Sequence, residues 1–209
     1  IELVQIKPED FQKIRLNRLN QHYEPLLNLA KIFITQGSIE LSNKTLETYT
    51  FVFQMEQLFE EFIAEFIRRN RKKLGLFGVN IRVQGINKNL VDAPRKLFNL
   101  KPDILLMKDG KNLIIDTKYK ELDYENRKYG VSPADMYQML AYGVKHDCND
   151  CVLLYPSHLG YSPRTEMHTI NVKDEDIHVH IKSVPIDINM MEEQDVLIES
   201  LNFIKNLIM

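Results

Sequence analysis

The chain has 209 residues, 44% of them hydrophobic, and a formal charge of −2 at pH 7. That is enough for one ordinary domain, or one with a small appendage, and too near neutrality for a generic polyanion binder, so any nucleic-acid contact must come from local patches. No apolar run approaches the ~18 residues of a membrane span, Ile1–Asp10 holds acids and no apolar signal core, and two cysteines without a disulfide framework fit a reducing cytoplasm.

In chain order, Ile1–Pro8 reads as a short strand or an ordered arm, and Pro8-Glu9-Asp10 as a helix start. Leu26, Leu27, Leu29, Ala30, Ile32 and Phe33 suit a helix over about Leu19–Phe33, with Pro25 near its first turn. Gly37–Lys44 is a polar break. The expected division is a helical segment over 1–45, packed on a larger domain over 46–209. The longest periodic stretch follows, a helix over about Leu46–Arg69. Phe51, Met55, Leu58, Phe59, Phe62, Ile63 and Phe66 form its apolar stripe. Glu60 falls at the edge of that stripe, between Phe53 and Ile67, where a carboxylate can point along the packed surface or reach out to water. Arg68, Arg69, Arg71, Lys72 and Lys73 end the helix. They complement its dipole, and phosphate contact is the second explanation.

Val79–Gln84 reads as a strand and Ile86–Asn99 as a polar connection with Lys88, Arg95 and Lys96. The most informative stretch is Lys101–Lys120. Two apolar runs, Ile104–Met107 and Leu113–Ile115, flank Asp109-Gly110, the signal for a two-residue type I′ hairpin. That loop length sets the register: Lys108 faces Lys111, Leu106 faces Leu113, Ile104 faces Ile115 and Asp103 faces Asp116. Opposed residues share a face, with Cβ atoms about 4.5–5.5 Å apart, and alternation adds Lys118 to it. Two carboxylates held so close need compensation. A divalent cation such as Mg²⁺ provides it and leaves positions for water and phosphate; a solvated surface Asp–Lys pair is the plainer account.

Glu121–Gly130 is a charged loop directly after this strand. Ser132, Pro133 and Asp135 mark a helix N-terminus, and the helix runs to about His146 with Gln138 and Tyr142 on one face. Cys151–Tyr155 is a short strand ended by Pro156, and the intervening helix makes it parallel to the Asp116–Lys118 strand. Glu166–Val172 and Ile177–Val184 are further strands, and Met190–Met209 a closing amphipathic helix. Cys148-x-x-Cys151 is half of a zinc motif with no second pair. His178-x-His180 reads as edge-strand surface. No P-loop, dinucleotide fingerprint or nucleophile elbow is present. The fold class expected is α/β, a mixed β-sheet with flanking helices.

Lys101-Pro102-Asp103, with Ile115-Asp116-Thr117-Lys118-Tyr119-Lys120 and Asp135-Met136-Tyr137-Gln138-Met139-Leu140-Ala141-Tyr142, resembles the PD-(D/E)XK nucleases and, more narrowly, the McrC family, the nuclease subunits of McrBC-type restriction systems. The resemblance covers about Arg15–Tyr155. It implies a restriction-endonuclease-like core and Mg²⁺-dependent DNA cleavage, with Mn²⁺ as a substitute. Glu60 (in Leu58-Phe59-Glu60), Asp103, Asp116 and the Thr117 carbonyl would hold the metal. Lys118 would position or activate water, with Gln138 beside the site, and Lys120 and Tyr142 join the helix-end cations as candidate DNA contacts. Gln84 falls where such sequences carry a glutamine and receives no role. The implied partners are double-stranded DNA and a McrB-like AAA+ GTPase that supplies recognition, with dimerisation for double-strand cuts. A stand-alone repair or junction-resolving nuclease and a non-catalytic scaffold of the same fold are the alternatives.

Overall fold

The computed structural model describes residues 8–35, 54–123, 125–157, 166–172, 175–186 and 194–209. The chain divides into two compact units, Ile1–Phe53 and Gln54–Met209. In the first, a 3-10 helix at Pro8–Lys13 and another at Gln21–Tyr23 precede α1 (Glu24–Thr35). Pro25 sits in the first turn of α1, where its missing N–H has no helical partner to lose. The arm expected at 1–7, the polar break at 37–44 and the early turns of the helix expected from Leu46 lie outside the described residues.

The second unit is built on a six-stranded sheet in the order β1-β4-β5-β6-β8-β7. Its strands are β1 (Asn80–Val83), β4 (Ile104–Lys108), β5 (Lys111–Thr117), β6 (Asp150–Ser157), β7 (Glu166–Val172) and β8 (Glu175–Pro185). The β5/β6 and β6/β8 pairs are parallel and the other pairs antiparallel, a mixed sheet. Strands buried on both sides read as continuous apolar runs, and alternation sorts their side chains into two cores. Ile104, Leu106, Leu113, Ile115 and Leu154 face α2 (Met55–Arg69), α4 (Gln194–Leu201) and α5 (Phe203–Ile208), meeting Ile63, Ile67, Leu201 and Ile204. Leu105, Ile114, Leu153 and Val179 face α3 (Pro133–His146), meeting Met139 and Tyr142. Helices therefore cover both faces.

Five expectations need correction. Met55 and Leu58 are exposed at 38% and 47%, and the buried line of α2 is Phe59, Ile63, Ala64 and Ile67; its first turn lies at a cavity rim, lined by Gln54, Glu56 and Gln57. The connection expected over 86–99 contains a two-stranded antiparallel ribbon, β2 (Lys88–Val91) with β3 (Leu97–Leu100). Strand β6 runs through Pro156, because pairing with β5 ends at Leu154 and β6 continues beside β8 alone. The closing helix breaks at Asn202 into α4 and α5. The His178–His180 strand is internal to the sheet, and His180 Nε2 lies 2.6 Å from Asp150 Oδ1 on the neighbouring strand.

Candidate active site

The β4–β5 hairpin turns as its sequence requires. Asp109 and Gly110 have φ of 49° and 83°, both left-handed, as a type I′ turn demands. Lys108 pairs with Lys111, Leu106 with Leu113 and Ile104 with Ile115. One step beyond the ladder, Asp103 Oδ2 accepts hydrogen bonds from the Thr117 N–H at 2.7 Å and the Thr117 hydroxyl at 2.8 Å. Thr117, expected to act through its carbonyl, thus visibly fixes the Asp103 carboxylate.

Asp116 is 1% exposed. Its Oδ2 is ion-paired with Lys118 Nζ at 2.6 Å, and that ammonium is the one polar group described against this buried oxygen. Burial, then the charge of Asp103, pushes the Asp116 carboxyl up to about 7. Lys118 Nζ donates to Gln138 Oε1 at 2.9 Å and lies 3.9 Å from Asp135 Oδ1. Gln138 Nε2 donates to the Tyr142 hydroxyl at 2.9 Å, which donates to the Lys101 carbonyl at 2.9 Å. Burial, and then Asp116, hold the Tyr142 phenol well above its ordinary value, so it stays a neutral donor. Helix α3 is fixed here by a capping box: Ser132 Oγ accepts from the Asp135 N–H while Asp135 accepts from the Ser132 N–H. Lys120 pairs with Asp135 at 2.9 Å.

Glu60 comes from the helix layer on the opposite face. Lys101 Nζ donates to Gln84 Oε1 at 2.8 Å, and Gln84 Nε2 donates to Glu60 Oε1 at 3.1 Å. The Gln84 N–H donates to the Asp103 carbonyl at 2.7 Å. Burial, then Asp103, raises the Glu60 carboxyl. Gln84 and Lys101 are the polar groups that sequence reasoning left without a role. The signal was their position, at the end of β1 and beside Pro102-Asp103, across an antiparallel pair.

These groups meet in one cavity of about 800 Å³ at the open end of the hairpin, outside the carboxyl end of β5, where open α/β sheets place their ligands. Glu60, Asp103, Asp116, Thr117, Lys118 and Gln138 all line it, as do Lys120 and Tyr142. Among the described residues, no three His, Cys, Asp or Glu side chains are grouped closely enough to hold a metal ion. The tight acidic unit is Asp103 with Asp116, and Glu60 stands across the cavity on Gln84. Two carboxylates whose charges act on one another, one of them buried and offset by a single ammonium, suit a hard cation that keeps water or phosphate on its other positions.

The helix-end cations are not brought to this cavity. Arg68 and Arg69 pair with Glu65 at 3.2 and 2.7 Å, Arg71 Nε donates to the Leu76 carbonyl at 3.0 Å, and Lys73 lies 3.5 Å from Asp195. Arg68 and Arg71 line a separate cavity with Val79, Asn80 and Ile81. Lys72 is exposed in the turn after the helix. The cluster thus occupies the C-terminal end of α2, whereas the first cavity is lined from its N-terminal end. Cys148 and Cys151 are buried free thiols, and the Cys148 Sγ lies 2.9 Å from the Asp150 carbonyl.

No helix of the described residues is long and apolar enough to cross a membrane. No curated protein matches the chain. The family described as McrBC 5-methylcytosine restriction system component matches residues 1–156, a span holding both wings of the cavity, the hairpin and α3. The chain belongs to this McrBC 5-methylcytosine restriction system component family.

Proposed function

We propose that this chain is the DNA-cleaving subunit of a McrBC-type restriction system, a divalent-metal-dependent endonuclease with a PD-(D/E)XK core that works with an AAA+ GTPase. The observation that carries the reading is the meeting of Asp103, Asp116 and Lys118 at the hairpin's open end, with Glu60 facing them across one cavity. Membership of the restriction-system family supports it.

Asp103 and Asp116 would hold Mg²⁺ or Mn²⁺, with Glu60 facing them across the cavity rather than grouped with them. The bound cation supplies Lewis acidity toward a phosphate oxygen and lowers the pKa of a coordinated water. The rest falls to the protein. Thr117 keeps Asp103 turned into the site through two hydrogen bonds. Lys118 holds its ammonium between Asp116 and Gln138, where it orients an attacking water or steadies charge on the phosphate. Tyr142 fixes the Gln138 amide, and so the Lys118 head group. Gln84 holds Glu60 toward the acids.

The test is nicking of supercoiled plasmid by the full chain in Mg²⁺ or Mn²⁺, with and without the GTPase partner and GTP. Asp116→Ala and Lys118→Ala are expected to abolish it, a loss of at least about 100-fold. Equal activity in wild type and both variants sinks the assignment.

A further inference from the structure

With the α2-end cations away from the cavity, the question is which surface meets the nucleic acid that the proposed nuclease would cut. The inference rests on that reading. The β2–β3 ribbon leaves the sheet after Gln84 and returns at Lys101, and both of these residues line the candidate active site. It is anchored to α3 at both ends of β2: Lys88 Nζ donates to the Lys145 carbonyl, and Asp92, just past β2, pairs with Lys145 at 2.6 Å. Residues 92–99 are all exposed. Among them Leu97 is 50% and Phe98 70% exposed, with Leu90 on the partner strand at 45%.

Adjacent exposed apolar side chains on an anchored element mark an interaction surface. Charge says what kind. The ribbon residues 88–99 carry Lys88, Arg95 and Lys96 against one acid, Asp92, whose charge is taken by Lys145. Arg95 and Lys96 thus present net positive charge beside an apolar tip, on a molecule of net charge −2. A two-stranded ribbon fits the major groove of B-DNA, about 12 Å wide. Cations flanking an exposed aromatic suit phosphates flanking base edges.

We propose that the β2–β3 ribbon is the DNA-docking element of this chain. It lies in the groove beside the scissile phosphate, with Arg95 and Lys96 on the backbone and Phe98 against the bases. Its anchoring through Lys88, Asp92 and Lys145 holds it against α3, and with its ends at Gln84 and Lys101 in the cavity wall the docked duplex presents a phosphate to the cavity.

The experiment measures binding of the full chain to a fluorescent 30-base-pair duplex in EDTA, across a salt series. Arg95→Ala/Lys96→Ala is expected to weaken binding about tenfold or more and to make the log–log salt slope shallower by about two, one unit for each phosphate contact. Phe98→Ser is expected to weaken binding without changing that slope. Lys108→Ala/Lys111→Ala, at the other end of the hairpin with the same change in charge, is the control for net charge. A benzophenone amino acid at position 98 is expected to cross-link the duplex, and one at exposed Phe77 is not. Ribbon variants that bind as wild type, a wild-type chain that binds no duplex, or a cross-link from position 98 only to protein overturns the proposal. Because binding is read in EDTA, ribbon-dependent binding without cleavage in Mg²⁺ or Mn²⁺ sinks the nuclease reading and leaves the ribbon standing. Cleavage that the ribbon variants retain in full, with unchanged binding, does the reverse.

Discussion

Gln84 has φ of 48°, a left-handed backbone that side chains other than glycine, asparagine and aspartate seldom adopt. It holds that conformation while donating its N–H to the Asp103 carbonyl and linking Lys101 to Glu60 through its amide. Strain kept at a cavity wall beside two carboxylates argues for a positioning role. Gln84→Ala and Gln84→Gly both free Glu60, but only glycine relieves the backbone. Both variants are expected to lose about 10- to 100-fold in Mn²⁺ affinity by calorimetry, with the glycine variant the more stable of the two. Unchanged affinity in both removes Gln84 from the site. Asp116 makes the complementary case. Its carboxylate is buried beside Asp103, and its ionised form is disfavoured by both. Asp116→Asn keeps the shape and removes the charge. It is expected to raise stability at pH 8 without metal, on the order of 1 kcal/mol because Lys118 loses its counter-ion and offsets part of the gain, while cleavage is lost. A lower melting temperature than wild type would show that the Lys118 pair outweighs the like-charge repulsion.

At the scale of elements, α3 shows which local forces prevail. His146 lies in its last turn, where the helix dipole favours an imidazolium by about 0.3–1 kcal/mol. Burial, and then Lys88, nevertheless hold the His146 pKa below its ordinary value, and its Nε2 is buried with no hydrogen-bond partner. Since the folded state disfavours the charged form, this contribution to stability is present above the unfolded pKa of about 6.5 and is lost as pH falls below it. His146→Phe, which keeps a ring against Tyr142, is expected to flatten the acid limb of the melting-temperature profile between about pH 6.5 and 5; an unchanged limb places that loss on other groups. Gly143 sets propensity against packing. Alanine gains about 1 kcal/mol in a helix interior, but a Cβ here would meet Ile177 Cδ1 at 2.7 Å, Ile177 Cγ2 at 2.9 Å and the Cys148 carbonyl at 3.1 Å. Overpacking costs about 1–3 kcal/mol, so Gly143→Ala is expected to be destabilising in urea unfolding, and stabilisation would mean that β8 shifts freely under α3. Elements whose local signals agree were legible in the sequence: the hairpin from Asp109-Gly110, and the α3 start from Ser132 and Asp135. The β2–β3 ribbon was not, because none of its residues is fully buried and no apolar alternation marks it. The His180–Asp150 contact joins residues 30 apart across a parallel pair, and no local pattern encodes such a pairing. Glu60 was legible because a helical wheel separates it from Glu61, whereas the Gln84 bridge depends on a strand register that the sequence does not print.

For the whole molecule, charge and architecture bear on how much recognition this chain supplies. A net charge of −2 gives no long-range attraction to a polyanion, and the cations that could meet phosphate are few: Arg95 and Lys96 on the ribbon, and Lys101 at the cavity, bound to Gln84. Phosphate contacts in such number give weak affinity that falls with salt and carries no sequence information. In the second unit, α2, α4 and α5 cover one face of the sheet and α3 the other, so its helices are engaged in the two cores. On the proposed reading, discrimination of 5-methylcytosine, the property in the family's description, would fall on the GTPase partner rather than on the cleavage cavity. The isolated chain is expected to nick methylated and unmethylated plasmid at equal rates, weakly and only at low salt, with activity falling at least about tenfold between 50 and 200 mM. Addition of the partner with GTP is expected to make cleavage depend on methylation and to raise it at every salt concentration, with a steeper salt slope because the partner adds phosphate contacts. Side-by-side nicking of the two plasmids decides it. A methylation preference in the chain alone would move base reading onto this subunit, and the exposed tip around Phe98 would be the first place to look for it.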